Sequence, residues 1–212
     1  TKSFQRVFNI NLYQKGYPYI LNSQVISSSA VIDLDQDGSN EVIFGDFNGM
    51  LHVIDQDGNP KPGFPFDLSD QIWGSPAVAD IDQDGNMEIV VCSKNKRIYA
   101  LNYDGTQQFS YNTGQFLIGT PALGNIDNDP ELEIVIGGYS GSMKLYAMNH
   151  DGSDVDGFPI ALGEKMKAGV ALADFNGNGK VDIVVGTEDD NVYLVYDDAN
   201  IAEGFPFIGD NK

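Results

Sequence analysis

Cysteine is almost missing: Cys92 is the only one in 212 residues. No internal disulfide framework is possible, so cysteine does not identify the compartment. Cys92 closes the apolar run Ile89-Val90-Val91-Cys92, which predicts an inert core thiol. Basic residues are scarce, with 12 Lys and Arg against 31 Asp and Glu and a net charge of −19. Nucleic-acid binding needs a basic face, and anionic membrane surfaces attract one, so both partner classes are disfavoured. No apolar run approaches the roughly 20 residues of a membrane-spanning helix. No segment reads as a helix of useful length. A start at Thr1 without a leader fits a mature or excised piece of a longer protein and says nothing against secretion. Zinc spacing and a phosphate loop are absent. The two histidines, His52 and His150, have no evident Ser or Cys partner. Hydrophobic residues still make up 42% of the chain, enough for a core.

What the chain has instead is one acidic stretch, four times over. The clearest copy is Asp80-Ile81-Asp82-Gln83-Asp84-Gly85-Asn86-Met87-Glu88. Carboxylates stand at positions 1, 3, 5 and 9, with glycine at 6, and an apolar strand follows. Such side chains converge only if the backbone curls, and converged like charges need a cation. Oxygen ligands at this density suit Ca²⁺ better than Mg²⁺, which keeps more water. Glycine at 6 permits the sharp turn, and position 7 offers its backbone carbonyl, as in an EF-hand loop. The EF-hand itself fits poorly, because the acid comes at 9 rather than 12 and a strand follows rather than a helix.

The other copies start at Asp33, Asn125 and Asp174, giving spacings of 47, 45 and 49. Each unit adds a second and a third strand, and the first three add a hairpin signal (Asp57-Gly58, Asp104-Gly105, Asp151-Gly152). Gly-Phe-Pro closes the first, third and fourth units, and Gln108-Phe109-Ser110 replaces it in the second. Proline there suits an outer edge strand. A period near 45 with four short strands per unit predicts an all-β fold, a β-propeller of four-stranded antiparallel blades. Small residues (Ala77, Ala79, Ala122, Gly124, Ala171, Ala173) suit innermost strands near an axis. The units read as a half blade at 1–25, with a strand at 7–11, and blades at 26–71, 72–116, 117–165 and 166–212. Four and a half units do not obviously close a ring. A segment of a larger propeller is expected, with further blades from the same or another chain.

Together these loops, Gly74-Ser75-Pro76 and the strand-ending Phe44-Gly45, Ile136-Gly137 and Val185-Gly186 resemble the FG-GAP (or VCBS) repeat. That repeat forms the blades of calcium-binding propellers in integrin α-subunits and in many secreted bacterial proteins. The resemblance covers about residues 26–208. It implies Ca²⁺ held through positions 1, 3, 5, 9 and the carbonyl of 7, in about four sites. The residues are Asp33, Asp35, Asp37, Ser39 and Glu41; Asp80, Asp82, Asp84, Asn86 and Glu88; Asn125, Asp127, Asp129, Glu131 and Glu133; and Asp174, Asn176, Asn178, Lys180 and Asp182. Two loops depart from the pattern. The third has Asn125 at position 1 and Pro130 at 6, and proline cannot take a positive φ. The fourth keeps only Asp174 and Asp182 as carboxylates. Ligand charge tunes affinity, so the first two loops are expected to bind most tightly and the fourth most weakly. Asx-rich turns without metal would look alike at this level.

Repetition at one place in every blade favours a structural ion over a catalytic one. In an up-and-down blade the calcium loops share one face. The varied second turns (Asp46 to Gly49, Lys94 to Lys96, Tyr139 to Gly141, Glu188 to Asp190) lie on the other. Varied loops on a rigid scaffold are the usual place for recognition. Trp73, Phe116 and Tyr139 fall near that face, as a platform for sugar or peptide or as packing between blades. Both histidines are read as blade-surface residues. The expected function is extracellular recognition or adhesion of a protein or glycan, without catalytic residues. The alternative is a propeller or accessory domain of a secreted polysaccharide lyase.

Overall fold

The computed structural model describes residues 14–127 and 129–209. They form four antiparallel sheets, each of four strands in chain order, and no helix. The first sheet holds β1 (Ala30–Ile32), β2 (Glu41–Gly45), β3 (Met50–Ile54) and β4 (Phe66–Asp67). The second holds β5 (Ala77–Ala79), β6 (Glu88–Ser93), β7 (Arg97–Asn102) and β8 (Gln107–Asn112). The third comprises β9 (Ala122–Gly124), β10 (Glu133–Gly137), β11 (Lys144–Met148) and β12 (Ile160–Ala161). The fourth comprises β13 (Ala171–Ala173), β14 (Asp182–Gly186), β15 (Asn191–Val195) and β16 (Phe207–Ile208). These are the up-and-down blades of a propeller.

The apolar pattern explains the stacking. Ile89 and Val91 of β6 face the first blade with Ile43, Leu51 and Val53. Val90 and Cys92, one residue out of phase, face the third with Ile134, Ile136 and Met148. Val135, Leu145 and Ala147 then meet Ile183, Val185 and Val195 of the fourth. An inner blade is buried on both faces, so its second strand reads as an unbroken apolar run. Cys92 is fully buried, which pushes its thiol up and leaves it inert.

Innermost strands touch in the order β1, β5, β9, β13. Their lead-ins approach so closely that a Cβ on Gly74 would lie 2.0 Å from the carbonyl oxygen of Gly119. β13 does not pack on β1 as these neighbours do, so the four sheets leave the ring open.

Outer strands follow the proline. β4, β12 and β16 are two residues long and each lies at or just after a cis Phe-Pro bond (Phe64-Pro65, Phe158-Pro159, Phe205-Pro206). β8, which has no proline, runs six residues and pairs five of them with β7 around a bulge. Tyr17-Pro18 is cis as well, and Gly16 meets Asp57 and Gly58 as Gly63 meets Asp104 and Gly105. Residues 16–18 thus stand to the first blade as the closes of the first and third blades stand to the blades that follow them. The strand expected at 7–11 lies outside the described residues.

Candidate metal centre

Each acidic loop joins the first strand of a blade to the second. Its ninth residue is the first of the second strand and faces the last of the first: Glu41 opposite Ile32, Glu88 opposite Ala79, Glu133 opposite Gly124, Asp182 opposite Ala173. That register buries all four side chains almost completely. One oxygen of each accepts the N–H of position 2: Leu34 to Glu41 at 2.9 Å, Ile81 to Glu88 at 3.0 Å, Ile126 to Glu133, and Phe175 to Asp182 at 2.8 Å. Across the loop, the N–H of the position-6 glycine is donated to the position-1 aspartate: Gly38 to Asp33, Gly85 to Asp80, Gly179 to Asp174, all near 3 Å. Those glycines have φ near +90°, a conformation closed to other residues at little cost.

The loops differ in how their charge is met. In the second, ligand oxygens of Asp80, Asp82 and Glu88 converge within 4.8 Å, and in the third those of Asp127, Asp129 and Glu133 do so. Burial and then the neighbouring aspartates push Glu88 and Glu133 up to about 7. Asp33, Asp35 and Asp37 converge in the first loop, but Lys61 enters there. Its ammonium lies 2.5 Å from Asp35 Oδ2, 3.4 Å from Glu41 Oε1 and 3.8 Å from Asp37 Oδ2. Lys61 holds Asp35 below the usual carboxylate range, and Asp35 raises Lys61 in turn. The fourth loop forms no group of three carboxylates. Asp182 Oδ1 accepts from Asn176 and from the Asp197 N–H, while Asp197 takes Asn178 and Lys180 at 2.9 and 3.2 Å.

A family comparison matches the FG-GAP-like repeat over residues 33–91 and 125–185. The chain belongs to the FG-GAP-like repeat family. Similar solved structures include BamB from Moraxella catarrhalis (TM-score 0.61, 15% identity, 86% of this chain and 50% of that one). BBS1N in complex with ARL6DN is another (0.59, 16% identity, 85% and 56%). The PilY1 C-terminal domain of Pseudomonas aeruginosa is a third (0.57, 22% identity, 75% and 38%). In sequence, 63 residues are 36% identical to the human BBSome complex member BBS2, over 30% of this chain and 8% of that protein. The chain thus spans about half the length, or less, of these proteins.

The FG-GAP loops can be tested for their fit to a cation. Two like charges 4.8 Å apart repel by roughly 3 kcal/mol at an effective dielectric of about 20, and a cluster contains three such pairs. A whole domain is stable by only about 5–15 kcal/mol, so protons, a lysine or a metal must answer them. Asp80 Oδ1 and Glu133 Oε1 are buried without a hydrogen-bond partner, as are oxygens of Asp33 and Asp35. Orphaned acceptors aimed into an acidic cluster fit a metal in the first three loops. The fourth, with Asp182 satisfied on both oxygens, reads as a self-contained Asx turn. Beside the second loop a cavity of about 130 Å³ is lined by Asp84, Asn86, Glu88 and Asp104.

Several partners escaped the sequence. Lys61 lies 28 residues after its loop start, and Gln108, which donates to Asp82 at 2.7 Å, lies 28 after its own. That shared offset was the available signal. Gln36 and Gln83, both at position 4 with φ near +57°, donate to the carbonyls of Gly85 and Pro130 in the next loop. His52 is not at a blade surface. It is buried beside Asp46 at 3.2 Å and stacked on Phe44, in the place where the other blades carry Tyr99, Tyr146 and Tyr193.

Proposed function

We propose that this chain is a calcium-stapled propeller segment serving recognition or adhesion outside the cell. The observation carrying it is the pair of acidic clusters, in the second and third loops, that no lysine or arginine answers among the described residues. Asp80, Asp82, Asp84, Glu88 and the Asn86 carbonyl would hold Ca²⁺ in one, and Asp127, Asp129, Glu133 and the Glu131 carbonyl in the other. The ion supplies positive charge and fixes the turn, so its binding energy becomes folding energy. Extracellular Ca²⁺ is abundant enough to fill even weak sites. With the loops committed to scaffold, the opposite face is left for a partner. BBS1N, a neighbour in fold, was solved in complex with ARL6DN.

The test is thermal unfolding with and without EDTA, beside Ca²⁺ calorimetry on the same sample. We expect a Tm lower by several degrees in EDTA and at least two sites. An unchanged Tm with no heat of binding would reduce the loops to turns and remove the reading. One observation favours the lyase reading as second: Lys94, Lys167 and Tyr139 share one cleft. Incubation with polygalacturonate, scored for unsaturated ends, decides it.

A further inference from the structure

The face opposite the metal loops carries a cluster of lysines beside the acidic turn Glu188 to Asp190. A cleft of about 400 Å³ there is lined by Trp73, Lys94, Phe116, Ile118, Tyr139 and Lys167. It is a product of the repeat. The Lys94 N–H bonds the Gln71 carbonyl at 3.0 Å, and the Tyr139 N–H bonds the Phe116 carbonyl at 2.9 Å one blade on. Trp73, Ile118 and Lys167 each stand two residues after such an acceptor position or its counterpart, Lys165, whose carbonyl binds the Glu188 N–H. Four of the 12 basic residues gather here. The Lys94 ammonium lies 5.1 Å from the centre of the Trp73 ring and 5.9 Å from that of Phe116. Lys96 lies 5.5 Å over Phe116, and Lys165 5.4 Å over Tyr139. Among the described residues, none of these three has a carboxylate within 4 Å, while Lys167 reaches Glu188 only at 3.9 Å. The Lys94 ammonium also donates to Gln71 Oε1 at 3.1 Å. An exposed cation–π contact is worth only about 0.5–1 kcal/mol, so an arriving carboxylate competes for these ammoniums.

We infer that this cleft binds an acidic peptide segment in which an aromatic or aliphatic side chain is flanked by Asp or Glu. The proposal rests on the recognition-module reading and names its ligand. Charge complementarity selects the carboxylates: four lysines stand on one face of a chain of net charge −19. The walls select the anchor. Apart from the lysines, the lining offers only aromatic rings, Ile118 and the Tyr139 hydroxyl, because the Trp73 Nε1–H is already given to Gln71 at 2.9 Å. A sugar would leave most of its hydroxyls unpaired there, and an unpaired polar group on desolvation is costly. A buried anchor ringed by charge pairs is the usual form of a protein hot spot.

Trp73 is the only tryptophan, so its emission reports the cleft directly. The probe is the peptide Asp-Glu-Asp-Leu-Phe-Asp-Glu-Asp, titrated in Ca²⁺. We expect a saturable change with a Kd of about 10–100 µM. Replacing Leu-Phe by Ser-Ser should weaken it at least about tenfold, and so should Lys94→Glu with Lys167→Glu at unchanged Tm. If that pair unfolds, Lys94→Gln with Lys167→Gln serves. Lys15→Glu, a remote exposed site, should bind as the wild type. Equal binding by tetragalacturonate, indifference to the anchor, or no saturation up to about 1 mM would overturn the inference. Ca²⁺ stabilisation on the same sample without peptide binding would overturn the cleft alone. Peptide binding without Ca²⁺ stabilisation would overturn the calcium staple and leave the cleft standing.

Discussion

At the scale of the residue, Lys61 sets the first loop apart. Its ammonium holds the place among Asp35, Asp37 and Glu41 that a metal would take. Lys61→Met should therefore act in opposite directions. Without metal it strips the acids of their counter-charge and lowers Tm. With Ca²⁺ it removes a competitor, and calorimetry should show the first site tightened by at least about tenfold, on the order of 1.4 kcal/mol. Equal Ca²⁺ affinity in both proteins would mean that Lys61 stands clear of the site. Glu88 and Glu133 give a pH prediction. Without metal their folded pKa is about 7 against an ordinary 4.5, chiefly through burial. Between those values the folded state holds protons that the unfolded state has released, so stability falls as pH rises through the window. In EDTA the Tm should drop by several degrees from pH 4.5 to 7.5. Ca²⁺ should abolish the drop, because it displaces the same protons.

At the scale of the element, the third loop shows two departures that answer each other. Pro130 has no N–H to donate to position 1, and position 1 is Asn125, whose amide donates instead to the Asp129 carbonyl. Asn125→Asp alone should destabilise, since its carboxylate would lack the N–H that Gly38, Gly85 and Gly179 supply elsewhere. Adding Pro130→Gly should recover stability, with a coupling of about 1 kcal/mol in a double-mutant cycle of urea unfolding. Additive effects would sink the idea. Most of the blade was legible because its cues are local: glycine at 6, apolar runs after the acid at 9, Asp-Gly hairpins, Gly-Phe-Pro closes. The second blade's longer outer strand goes with Ser110, which stands where the other closes have proline. What escaped reading were contacts made across blades or across a sheet. Lys61 reaches back 20 residues to Glu41, Gln83 reaches into the next loop, and His52 packs against Tyr19 as well as Phe44. Lys61 and Gln83 find their partners 20 and 47 residues away, beyond the reach of local cues.

At the scale of the whole molecule, four blades share three apolar seams; residues 16–19 cover part of the first blade's outer face, and among the described residues nothing packs on that of the fourth. Ile20, Ile26 and Val31 are exposed near one end, and Phe207 and Ile208 on the outer strand of the blade at the other. Exposed apolar groups in such numbers mark an interface. We expect the 212-residue chain to associate as its concentration rises in sedimentation velocity, and Phe207→Ser with Ile208→Ser to reduce it. A monomer at all concentrations would count against further blades docking there. The open stack also has a mechanical consequence. A closed ring shares tension around its circumference, whereas here each inner blade is held by two seams and the fourth by one. Pulled from the C-terminal side, the chain should peel one blade at a time. Each rupture would release about 45 residues, a step of roughly 150 Å, and each bound ion would act as a rivet raising the force of its own step.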